Sequence, residues 1–180
     1  ERVQARTAGT QTAAFARLNP CRKIPVLQDG DVTLTESAAI VTYLAERYSG
    51  AKARLIPEDP AARAHYHEWV SFVCMEIDAT SLYVLRRHEY LPEVYGEAPA
   101  AVEASKAYLA RMLEAAAVKL EDGRAYLLGR DFSGADILMT TCLDWATRYG
   151  QTVPAPFQAY RERVAARPGY AAARIANESP

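Results

Sequence analysis

Between Asn19 and Tyr48 the chain carries its densest set of groups able to hold a polar ligand. A basic loop, Cys21-Arg22-Lys23, follows Pro20, and Ile24-Pro25-Val26-Leu27 comes next as a short apolar run. Asp29-Gly30 between that run and Val32-Thr33-Leu34 is a strong hairpin signal. Thr35-Glu36-Ser37 then opens a helical pattern, with Ala39, Ile40, Tyr43 and Leu44 at its apolar positions. A helix start leaves backbone N–H groups without intrahelical partners and carries partial positive charge. With the hydroxyls of Thr35 and Ser37 beside it, this end suits a ligand carboxylate. Each part also has a plainer account. Pro25 fits an edge-strand proline, and Thr35 or Ser37 fits an ordinary cap with Glu36 in the first turn.

The other reactive side chains form no comparable set. Cys21 has no base nearby in sequence, and a loop thiol without one stays inert. His65 and His67 point in different directions on a helix, and His88 is remote, so metal-ligand spacing is lacking and no metal is expected. Cys21, Cys74 and Cys142 are scattered, which gives neither a C-x-x-C site nor a disulfide framework. Ser133 and Asp136 stand at capping-box spacing, with Phe132 and Ile137 placed as a hydrophobic staple. That spacing makes Asp136 a helix cap rather than a catalytic acid, and Cys142 on the following face a buried core thiol.

The stretch resembles the glutathione transferase family. The match runs through Asn19-Pro20, Lys23-Ile24-Pro25-Val26-Leu27, Asp29-Gly30, Leu34, Glu36-Ser37-Ala38-Ala39-Ile40, Tyr43-Leu44 and Tyr48. A second stretch, Tyr126 to Ile137, is similar to the same family and contains the Ser133/Asp136 pair. The resemblance implies a cis peptide bond before Pro25. It also implies that the backbone of Ile24 pairs with the cysteinyl part of glutathione, and that Glu36 and Ser37 hold its γ-glutamyl end. Lys23, Ile24, Pro25, Glu36 and Ser37 are therefore the expected glutathione-binding residues. Where the family often has Gly before the Lys, this chain has Arg22, which either alters the loop or adds a second cation near the glycyl carboxylate.

The elements that must position these groups change character along the chain. Arg2 to Gln4 reads as the tail of a strand, Ala5 to Gln11 as a polar loop, and Thr12 to Leu18 as a short helix with Phe15 and Leu18 inward. The family's first strand and first helix, on the order of thirty residues or one βαβ unit, are expected upstream. They would bring the catalytic Tyr, Ser or Cys, so no catalytic residue is assigned here. Ser49 to Pro60 is rich in Gly, Pro and charge and reads as a linker anchored by Leu55-Ile56. Asp59-Pro60 is a helix start, and that helix runs towards Tyr90 with Trp69, Phe72, Val73, Glu76, Ile77 and Thr80 on one face. Tyr83, Arg87 and Tyr90 on its later part are candidates for the pocket of an electrophile, with a solvated surface as their alternative. A further helix spans Ala100 to Glu121, with Val102, Tyr108, Leu109, Met112, Leu113 and Leu120 inward. It ends at Asp122-Gly123-Arg124. After the Ser133 helix come a turn at Gly150 to Pro156, a helix from Phe157 to Ala166, and a last short helix beyond Arg167-Pro168-Gly169-Tyr170.

The 180 residues are 50% hydrophobic and 24% charged, enough for a sizeable folded core. A net charge of -1 gives no general attraction to nucleic acid or membrane. No apolar run approaches a membrane span, and the cysteine usage fits a cytoplasmic setting. The expected fold class is α/β plus all-α: an incomplete thioredoxin-like domain (residues 1–48), a linker (49–58) and an all-helical domain of glutathione-transferase type (59–180). The resemblance implies a homodimer that conjugates glutathione, as co-substrate, to an electrophilic small molecule. Two alternatives stand beside it. One is a glutathione-dependent reductase, isomerase or lyase of the same fold, and the other is a non-catalytic binding protein.

Overall fold

The computed structural model describes residues 7–50 and 54–178. Its first part is a hairpin flanked by helices. A helical turn, α1 (Thr7–Thr10), leads into α2 (Ala13–Leu18). Part of the expected polar loop is thus helical, while the expected strand tail at Arg2 to Gln4 lies outside the described residues. Thr12 caps α2 by accepting from the Phe15 N–H at 3.2 Å. Phe15 is half-buried, but Leu18 is 42% exposed, contrary to its expected inward position. At six residues α2 is too short for a full apolar stripe, and Leu18 falls on its last residue.

Strands β1 (Val26–Asp29) and β2 (Val32–Thr35) pair antiparallel with Val26 opposite Thr35 and Asp29 opposite Val32. Gly30 turns the chain at φ +58°, a left-handed conformation that costs glycine little. Helix α3 (Ser37–Tyr48) folds back on the hairpin. The hydroxyls of Tyr43 and Tyr48 both donate to Oδ2 of Asp29, at 2.8 and 2.6 Å. One turn carboxylate thereby ties the strand end to the far end of the helix.

The second part is helical. Asp59 caps α4 (Pro60–Phe72) by accepting from the Ala62 N–H at 2.8 Å, with Pro60 in the first turn. The helix does not run on as a plain α-helix. Residues Val73–Leu82 are π-helical, and α-geometry resumes as α5 (Tyr83–His88). Along these segments Tyr66, Trp69, Val73, Ile77, Ser81, Leu82 and Leu85 are buried. Thr80, expected on the inward face, is exposed. A short helix α6 (Pro92–Tyr95) precedes α7 (Pro99–Ala117), which tightens into a 3₁₀ turn at Val118–Leu120. Val102, Leu109, Leu113 and Leu120 are buried, while Tyr108 and Met112 are half-buried.

Helix α8 (Gly134–Arg148) is the core element, with Ala135, Leu138, Met139, Cys142, Leu143 and Ala146 buried. Its start is built on Asp136, which is fully buried. The Asp136 carboxylate accepts from the Ser133 N–H at 2.7 Å, the Ser133 hydroxyl at 2.8 Å, the Leu127 N–H at 2.9 Å and the Tyr160 hydroxyl at 2.8 Å. All of its contacts are internal, as the capping-box spacing predicts. Helices α9 (Ala155–Ala165) and α10 (Pro168–Glu178) complete the domain.

The hairpin part and the helical part meet closely. Gly134 at the start of α8 lies where a Cβ would come within 2.9 Å of both the Tyr66 hydroxyl and Cγ1 of Val41. Tyr66 is fully buried and its hydroxyl is 3.0 Å from Oγ1 of Thr42 in α3. The Gly134 N–H donates to the Leu55 carbonyl at 2.8 Å, and Ile56 is buried, so the segment before α4 is anchored as expected.

Candidate functional site

The hairpin register decides which expected residues come together. Because Val26 pairs with Thr35, Ile24-Pro25 and Glu36-Ser37 leave the two strands at the same end. The Ile24–Pro25 peptide bond is cis, and Ile24 is 60% exposed. Lys23, Pro25, Glu36 and Ser37 are exposed as well. The structure thus gathers all five around one open end of the sheet.

The start of α3 lacks a cap of its own. The first intrahelical bond runs from the Ile40 N–H to the Glu36 carbonyl at 3.0 Å, and no side chain caps the helix. The N–H groups of Ser37, Ala38 and Ala39 therefore have no intrahelical acceptor. This removes the plainer account in which Thr35 or Ser37 is an ordinary cap. Glu36 takes φ 69° and ψ 119°, a conformation that costs an L-residue about 1–3 kcal/mol and is found at ligand sites. Three free N–H groups, the Ser37 hydroxyl and the positive end of the helix make a receptor for a carboxylate.

The loop that carries Lys23 is organised by Asn19, a role the amino-acid types alone did not single out. Asn19 is buried; its amide donates to the Lys23 carbonyl at 2.7 Å and its side-chain oxygen accepts from the Cys21 N–H at 3.0 Å. Its own carbonyl accepts from the Arg22 N–H at 2.9 Å. An Asn before a Pro at the head of a basic loop was the available signal. Arg22 sits at φ 54°, where glycine is favoured. Its guanidinium donates to the Gln11 carbonyl at 3.0 Å, so it braces the loop against the start of α2.

Across from this loop lies the junction of the π-helical segment and α5. The Lys23 ammonium is 5.4 Å from the Tyr83 ring centroid, and the guanidinium groups of Arg86 and Arg87 lie 5.7 and 4.6 Å from the same ring. Of the three pocket candidates, Tyr83 and Arg87 are brought to the loop. Tyr90 is not: it stacks on Tyr149 at 4.1 Å and donates to the Tyr149 carbonyl at 2.8 Å.

Burial pushes the half-buried Asp78 carboxyl up. It also raises the Cys74 thiol, with the Asp78 and Glu36 charges adding to the effect. Buried Cys142 is raised well above the ordinary thiol range by burial first, with Asp78 and Cys74 adding to it. Protonated thiols are poor nucleophiles, so neither cysteine supplies one. Among the described residues, no group of His, Cys, Asp and Glu could hold a metal ion. A cavity of about 720 Å³ lies between α8 and α10, lined by Leu55, Phe132, Ile137, Trp145 and Tyr170 among others. None of the five expected ligand residues lines it.

A hairpin with an open helix start, set against a helical domain nucleated by a buried capping aspartate, defines the glutathione-transferase fold. The family model for the glutathione S-transferase N-terminal domain matches residues 1–46, and that for the C-terminal domain matches residues 64–168. The chain belongs to the glutathione S-transferase family. It is 35% identical over 130 residues to human glutathione S-transferase theta-1, covering 71% of this chain and 54% of that protein. The chain thus spans about half the length of the curated relatives it matches. The theta class glutathione S-transferase of Xanthomonas axonopodis pv. citri, solved with glutathione bound, is 30% identical with a TM-score of 0.76. That match covers 90% of this chain and 77% of the other. A glutathione-S-transferase from Xylella fastidiosa shares the fold, with a TM-score of 0.82 at 24% identity over 96% of this chain and 84% of that one.

Proposed function

We propose that the open end of the hairpin binds glutathione and that the protein conjugates it to an electrophilic small molecule. The backbone of Ile24, ahead of Pro25, pairs with the cysteinyl backbone. The Ser37 hydroxyl and the free N–H groups of α3 hold the γ-glutamyl carboxylate, Glu36 faces the ammonium, and Lys23 faces the glycyl carboxylate. In the reaction the thiol loses its proton and the sulfur bonds to an electrophilic carbon, displacing its leaving group. Lowering the thiol pKa is the central catalytic requirement, and no described residue is assigned that role. The uncapped start of α3 beside exposed Ile24 and its cis bond to Pro25 is the observation that carries this reading.

Family membership supports three further parts of the proposal. The protein works as a homodimer, its glutathione-binding domain spans residues 1–48 and its helical domain 59–180, joined by a linker at 49–58. The two family matches fall inside those bounds. It acts in the cytoplasm; among the described residues no helix is long and apolar enough to cross a membrane.

Calorimetric titration of glutathione into the wild-type chain and Ser37→Ala tests the site. Loss of a hydrogen bond to a charged group should weaken binding by roughly tenfold or more. Equal affinity in both proteins would remove Ser37 from the site. No heat from wild type that circular dichroism shows to be folded would remove the site itself.

A further inference from the structure

Three cations share one aromatic ring at the edge of the proposed glutathione site. Lys23 from the hairpin loop and Arg86 and Arg87 from α5 lie within 5.7 Å of the Tyr83 centroid, and Arg87 is also 5.5 Å from the Tyr95 ring. Among the described residues none of the three forms an ion pair with a carboxylate. The Nε of Arg87 is buried and has no hydrogen-bond partner. Buried polar groups are nearly always partnered, and an unpartnered one in a charged side chain is costly.

Two internal explanations fall short. Arg86 and Arg87 stand in the last turn of α5, where a helix end attracts cations. That end carries only about half a negative charge, against two guanidinium groups with Lys23 beside them. Asp78, on the preceding segment, forms no ion pair with either arginine among the described residues.

Glutathione accounts for part of this charge. In the reading above, its γ-glutamyl carboxylate goes to the start of α3 and its glycyl carboxylate to Lys23. Arg86 and Arg87 are then left over, in a setting of aromatic faces. Guanidinium groups present planar forks of donors suited to carboxylates and stack on aromatic rings.

We propose that the electrophile taken by this site is an aromatic acid, its carboxylate held by Arg87 and Arg86 and its ring set against Tyr83. The proposal rests on the glutathione reading and adds the substrate class. An anion placed there offsets the crowding of three like charges around the Tyr83 ring.

Two glutathione conjugates that differ by one carboxylate test it without requiring turnover. S-benzylglutathione and S-(4-carboxybenzyl)glutathione are titrated calorimetrically into the wild-type chain, Arg87→Gln and Arg86→Gln. The carboxylated conjugate should bind wild type about tenfold more tightly, the scale of a charge-assisted hydrogen bond. That ratio should fall towards one in Arg87→Gln, and in wild type it should shrink as salt is raised. Should Arg87→Gln fail to fold, the same fall of the ratio in Arg86→Gln, together with the salt series, carries the test. A ratio near one in wild type, with both conjugates bound, overturns the aromatic-acid assignment and leaves the glutathione site standing. An equal loss of both conjugates in the arginine variants assigns these cations to glutathione's own carboxylate and also overturns it. Failure of folded wild type to bind S-benzylglutathione sinks the glutathione reading, and this proposal with it.

Discussion

The carboxylate of Asp29 accepts hydrogen bonds from two tyrosines of one helix, Tyr43 at 2.8 Å and Tyr48 at 2.6 Å. This joint fixes the direction of α3, and hence where its uncapped start opens. The Tyr48 hydroxyl, then that of Tyr43, holds Asp29 below the usual carboxylate range. Asp29 in turn raises both phenols.

The pH dependence follows from these directions. Asp29's folded pKa is depressed, so its stabilisation is complete above the unfolded value and is lost as pH falls through the folded one. The tyrosines' folded pKa values are raised, so their share is complete below the unfolded phenol value and is lost as pH rises through the folded one. Thermal melts of wild type and Asp29→Asn should therefore differ most near neutrality. The difference should close in acid below the aspartate range and again in strong alkali. A gap that is constant across pH would show that the joint contributes nothing through charge.

Gly134 is expected to tolerate no side chain. A Cβ there would lie 2.9 Å from both the Tyr66 hydroxyl and Val41, which come from the two parts of the chain. Overpacking of this kind costs about 1–3 kcal/mol. Gly134→Ala should lower Tm by several degrees, whereas Gly169→Ala, which meets nothing within 4 Å, should leave it nearly unchanged. Equal melting of the two variants would mean the contact relaxes freely.

Asp136 should behave as a structural residue. Asp136→Ala leaves the N–H groups of Leu127 and Ser133 and the Tyr160 hydroxyl without their acceptor. At about 1–3 kcal/mol for each buried orphan, the loss should be on the order of 3 kcal/mol or more in urea unfolding. Unchanged stability would overturn its role as the organiser of α8.

Much of this was legible in the sequence because it is local. Asp29-Gly30 gave the hairpin, Asp59-Pro60 the start of α4, and the Ser133/Asp136 spacing the start of α8. The resemblance gave the cis bond at Pro25. What was not legible depends on distant packing. Residues Val73–Leu82 are π-helical, with more residues per turn than an α-helix, so a 3.6-residue period does not say where the following side chains point. Tyr83 lies by Lys23 and Arg87, while Tyr90 stacks on Tyr149 instead. Four further donors on the Asp136 and Asp29 carboxylates lie outside their local motifs, at separations of 9 to 24 residues. The amino-acid pattern shows the acceptor in each case and leaves the partner open.

The glutathione site is tested most directly by NMR titration of the isotopically labelled chain, following each backbone amide as glutathione is added. The amides of Lys23, Ile24, Ser37, Ala38 and Ala39 should shift in a saturable way, with the α3 start moving most. Saturable shifts confined to another surface, or none in a well-dispersed spectrum, would contradict it.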